Sequence, residues 1–234
     1  MEKAIESALE FANRVHKFAN DMLGASVRNA KGTVVNEFYF VPMTLLARAL
    51  GHHRAIALLV KEGYPTEAAI VALTQFELCL DILYMSDDPS RATAWMQHGS
   101  ETRQPWNVTD KIKAVYSTDP ETREGNHGAF RNLSQIKHAN PLAGPQGFPM
   151  RWSGPIVTVQ TNPDPDQLAE VWSLVVLLFC CHKVLEAAAA VRRCHSQFVD
   201  LEESLERQLA SFMVECHRLM SLIPAPDLPN GKVH

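Results

Sequence analysis

Residues 171–181 read VWSLVVLLFCC, the most hydrophobic run in the chain, and His182, Lys183 and Glu186 follow it at once. The run is too short to cross a bilayer, and charge this close to it suits a packed protein core better than lipid. It predicts the central helix of a helical bundle, running from Asp164 to Arg193 and rich in alanine at its far end. C-terminal to it, Gln197 to Leu222 has the spacing of an amphipathic helix, and the Pro-rich tail PAPDLPNGKVH (224–234) is expected to fray.

N-terminal to the run, the punctuation is that of further helices. Pro65 stands at a first turn and opens a helix carrying Ile70, Leu73, Leu78 and Ile82 up to Asp87. Pro42 is read as opening the preceding one, which Gly63 ends, and residues 3–23 carry apolar positions at helical spacing up to Gly24, read as a stop. Three shorter helices follow: one after Asp88-Pro89 with Trp95, one over 108–116, and one over about 120–139 that ends at Asn140-Pro141. Val27, the turn-forming Asn29 to Gly32, and Val34-Val35 suggest a short hairpin that could pair with Ile156–Val159. The loop from Pro141 to Pro155 reads as irregular chain. The expected fold is all-α, a bundle of about seven to eight helices with a minor β-hairpin-like insertion. Residues 1–223 read as one helical domain, with 224–234 a flexible tail.

The 234 residues are 46% hydrophobic and 21% charged, which excludes disorder as the dominant state. With 22 Lys and Arg against 26 Asp and Glu, the formal charge is −4, so no global basic field recruits nucleic acid and any contact must be local. Cys79, Cys180, Cys181, Cys194 and Cys216 are odd in number, lie in apolar stretches and form no C-x-x-C pair, so buried reduced thiols are expected. The N-terminus has charge throughout and no apolar secretory core, and a cytoplasmic location with no membrane partner is expected.

The stretch richest in chemistry is FRNLSQIKH, residues 130–138. On a helix Arg131, Ser134, Gln135 and His138 fall at i, i+3, i+4 and i+7 and share one face, while Leu133 and Ile136 turn toward the core. An imidazole can act as general base or acid near neutrality, and a guanidinium can hold a phosphate and the charge building on it. Those two roles are what metal-independent RNA cleavage by the 2′-hydroxyl requires. From Arg123 to Arg151 the basic residues Arg123, Arg131, Lys137 and Arg151 face one acid, Glu124. Glu77 and Asp81, one turn apart on an apolar helix, could hold a metal, orient the motif, or pair with a base from another helix; Arg131 is the expected partner of Glu77. Glu124 with His127, and His182 with Glu186, are single pairs, short of the two Glu-x-x-His motifs of a di-iron bundle. Of the adjacent His52 and His53, one is expected to be exposed and one packed.

Arg131-Asn132 followed by five residues and His138 resembles the R-polar-x-H signature of the HEPN superfamily (higher eukaryotes and prokaryotes nucleotide-binding). That resemblance implies a helical bundle, often dimeric, with Arg131, Asn132 and His138 as catalytic residues of an endoribonuclease that needs no metal and no cofactor. It also implies RNA or a nucleotide as ligand and an antitoxin or defence protein as partner. Over about 43–195 the chain is similar to a bacterial helical family of unknown function regarded as HEPN-like, through Glu62-Gly63-Tyr64, Glu67-Ala68, Phe76-Glu77, Leu133-Ser134 and His138. In that pattern an arginine precedes the glutamate by one turn, where this chain has Leu73 and Thr74. Glu77, Ser134 and Gln135 are then the expected supporting residues. The alternative is a non-catalytic helical interaction module, in which Arg131 and His138 would be buried in hydrogen bonds.

Overall fold

A computed structural model describes residues 2–29, 36–98, 105–138, 150–153, 156–159, 167–194 and 203–223 of the chain. Within these residues there are eight helices: α1 (Glu2–Asn29), α2 (Glu37–Lys61), α3 (Pro65–Ser86), α4 (Pro89–Gln97), α5 (Val108–Val115), α6 (Pro120–Lys137), α7 (Gln167–Cys194) and α8 (Glu203–Met220). Two four-residue strands, β1 (Met150–Ser153) and β2 (Ile156–Val159), form an antiparallel hairpin with Met150 opposite Val159 and Ser153 opposite Ile156. The fold is all-α, and the expected tail at 224–234 lies outside the described residues.

α3 and α7 are the two central helices. On α3, Ala68, Ala72, Phe76, Cys79 and Ile82 are buried, and on α7 so are Leu177, Cys181, Val184, Ala188 and Val191. The two pack against each other, with the Phe76 and Phe179 rings 5.6 Å apart, and α1, α2 and α8 also lie against α7. Both central helices are long and apolar enough, by length and composition, to cross a membrane, so the run at 171–181 is part of a longer apolar stretch than the sequence alone suggested. Here most of each stretch is buried against protein.

The α2–α3 joint is fixed by local chemistry. Gly63 takes φ 80°, its N–H reaches the Val60 carbonyl at 3.1 Å, and the Tyr64 N–H reaches Leu59 at 2.8 Å, the paired bonds of a Schellman cap. Pro65 then occupies the first turn of α3, where its missing N–H costs nothing. α4, α5 and α6 each start on an acid or amide cap: Asp88, Asn107 and Asp119 accept from the backbone N–H groups of Ser90, Asp110 and Thr122.

Three boundaries differ from the sequence reading. α1 passes through Gly24 to Asn29, because Ser26 keeps its buried stripe going and the packed face of a long helix outweighs one glycine. Val27 is therefore helical and β2 pairs with β1; the rest of the expected hairpin, residues 30–35, lies outside the described residues. β1 also gives order to part of the stretch read as irregular. α2 begins at Glu37, with Pro42 inside it, where the proline forgoes one ladder bond to Phe38.

Candidate functional site

α6 lies against α3 through Leu133 and Ile136, both buried as expected. That docking turns Arg131 and His138 to solvent, with Ser134 and Gln135 half-buried between them and Asn132 exposed beside them. His138 is the C-cap of α6, its N–H on the Ser134 carbonyl at 3.1 Å. The Arg131 guanidinium reaches back along the helix, placing Nη2 3.8 Å from Oε1 of Glu124; the two side chains are 63% and 78% exposed. An ion pair this open holds its partners weakly.

The expected tie between Arg131 and Glu77 does not form. Glu77 is half-buried on α3, and the cations near it are Lys137, the last residue of α6, and Lys111 of α5. Burial pushes its carboxyl above the usual range, the two lysines pull it back, and Asp81 adds to the upward push. Asp81 is paired with Lys111 inside the core, so its partner is a base from another helix. Among the described residues, no group of three or more His, Cys, Asp and Glu side chains could hold a metal ion.

A second buried polar group joins the end of α5 to α7. The Tyr116 hydroxyl donates to Glu186 Oε2 at 3.0 Å and accepts from Lys183 Nζ at 3.1 Å, while Lys183 also donates to Glu186 Oε2 at 2.6 Å. Lys183 Nζ lies 5.2 Å from the Tyr116 ring centre and 5.6 Å from that of Phe179. Burial and the Glu186 charge push the Tyr116 phenol up. His182 Nδ1 is 3.7 Å from Glu186, and burial lowers this imidazole to about 4 against the pull of that carboxylate. Charge and hydrogen bonds close on themselves here, which suits a structural joint. The sequence reading paired His182 with Glu186 and missed Lys183, Tyr116 and Lys111. A lysine inside the most apolar helix with a glutamate three residues on was the signal for the first of these.

Around α7 the five cysteines are free and buried, as expected. His53 is packed, its Nε2 3.5 Å from Cys181 Sγ and its ring stacked 6.0 Å from that of His16, while His52 is half-buried.

The protein-family model described as a family of unknown function (DUF5677) matches residues 39–141. The match takes in α2 from Tyr39 through α6, and with them Glu77, Asp81, Lys111, Arg131 and His138; it leaves out α1, the hairpin, α7 and α8. No curated protein and no solved structure matches the chain.

Proposed function

We propose that the chain is a HEPN-like, metal-independent endoribonuclease, or an RNA- or nucleotide-binding relative of one, working as a cytoplasmic homodimer alongside an antitoxin or defence partner. The observation that carries this reading is the shared, solvent-facing side of α6 on which Arg131 and His138 both stand. Of the two non-catalytic readings, one has those groups buried in hydrogen bonds; the other, a solvent-facing stripe capped by His138, shares this arrangement, and cleavage is what separates it from the ribonuclease.

In the reaction, His138 takes the proton of a ribose 2′-hydroxyl, and O2′ forms its bond to phosphorus as the bond to O5′ breaks. Arg131 holds the phosphoryl oxygens, where its charge counts most as negative charge builds. The leaving O5′ takes a proton from the second His138 of the dimer, and the products are a 2′,3′-cyclic phosphate and a 5′-hydroxyl. No metal enters any step.

The test is cleavage of end-labelled single-stranded RNA in excess chelator. Wild-type protein is expected to give cyclic-phosphate ends, and His138→Ala and Arg131→Ala to lose roughly 100-fold or more, the usual worth of a proton-transfer or charge-stabilising group. Full activity in a clean His138→Ala preparation, or no RNA binding at low salt, overturns the reading.

A further inference from the structure

The face of α6 carries a second imidazole. Glu124, His127, Gly128, Arg131 and His138 fall on one side of the helix, with His127 four residues before Arg131 and His138 seven after it. Helical side chains lean toward the N-terminus, and Arg131 does so fully, since its guanidinium meets Glu124 seven residues back. His127 lies between Glu124 and Arg131 along that face. An anion bound at that guanidinium therefore lies nearer His127, about 6 Å of helix rise from Arg131, than His138, about 10 Å away in the other direction.

Two further observations agree. His127 is half-buried, and among the described residues no hydrogen bond or ion pair engages it. A Cβ built on Gly125 or Gly128 meets nothing within 4 Å, so packing does not require either glycine, and the helix backbone beside Arg131 is left bare for close approach. The Glu124 carboxylate marks where the guanidinium delivers its charge when no phosphate is bound.

We propose that His127 is a proton-transferring residue of the α6 face, set beside Arg131 to act on the phosphodiester that Arg131 holds. The proposal rests on the ribonuclease reading and changes its division of labour. His127 accepts the 2′-hydroxyl proton, the O2′–P bond forms, and the P–O5′ bond breaks. O5′ then takes a proton from the second His138 of the dimer, so His127 replaces His138 only as the base.

Two measurements on the full chain test this. Inorganic phosphate is titrated while histidine ring resonances are followed by NMR, assigned with His127→Gln and His138→Gln. The His127 signal is expected to move, and to stay still in Arg131→Gln. In chelator, His127→Gln is expected to cut RNA at least about 100-fold more slowly than wild type while still binding a 2′-deoxy oligonucleotide. A His138 signal that moves while His127 stays fixed overturns the proposal, as does wild-type cleavage by His127→Gln; in either case the Arg131–His138 reading survives if His138→Gln is inactive. No cleavage by the wild-type protein removes both.

Discussion

Lys111 of α5 donates to the carboxylate of Asp81 on α3 with both residues inside the core, the lysine 1% and the aspartate 8% exposed. A pair so placed ties two helices together but gains little over apolar packing, because both charges leave water. Asp81→Ala alone strands a buried ammonium and is expected to cost about 3–5 kcal/mol in guanidinium unfolding. Asp81→Leu combined with Lys111→Met is expected to restore most of that loss or exceed wild type. Equal destabilisation in the single and double variants would show that the charge itself is needed.

Stability should fall with acid because of His53. In the folded protein burial, with a smaller push from His16, holds this imidazole at about 3, against an ordinary value of 6.5. Below 6.5 the unfolded chain takes up a proton that the folded chain refuses, so stability drops as pH falls from 6.5 toward 3 and is unaffected above that window. The slope approaches about 1.4 kcal/mol per pH unit for one proton. His182, lowered to about 4, adds a loss of the same sign. Denaturation midpoints measured from pH 7 to pH 4 should be less steep in His53→Gln.

Glycines at two sites should respond in opposite directions. Gly63→Ala places a side chain at φ 80° in the α2–α3 joint and is expected to lower stability by about 1–2 kcal/mol. Gly128→Ala puts a methyl into open space on a helix interior and is expected to raise stability by up to about 1 kcal/mol. Thermal melts followed by circular dichroism read both shifts.

Removing the carboxylate that occupies Arg131 should favour an anionic ligand. Glu124→Gln is expected to tighten single-stranded RNA binding by no more than about fivefold, the range of an exposed ion pair, with the gain lost in the Arg131→Gln background. Fluorescence anisotropy at low salt measures it, and unchanged affinity would mean that Arg131 does not face the ligand.

Signals within a few residues of each other were legible in the sequence. Gly63 before Pro65 marked a helix joint, Asp88-Pro89 marked a helix start, and Leu133 with Ile136 marked the inner side of α6; all three hold. Gly24 and Pro42 misled because each is locally unfavourable to a helix and is outweighed by the packing of a long one. The partners of Asp81 and Glu186 were not legible: Lys111 lies 30 positions from Asp81 and Tyr116 lies 70 from Glu186, separations that only the packed fold closes. For the α6 face, spacing gave the shared side of Arg131 and His138 but not the lean of Arg131 toward Glu124.

The stretch that matches a known family stops at residue 141, before the helix against which α1, α2, α3 and α8 all rest. Trimming the gene to that stretch would strip away the wall behind Phe76 and Cys79 and leave an oily surface in water. Recombinant fragments meant for assays of the α6 side chains therefore need Gln167–Cys194 retained, since the catalytic question cannot be posed to a chain that clumps.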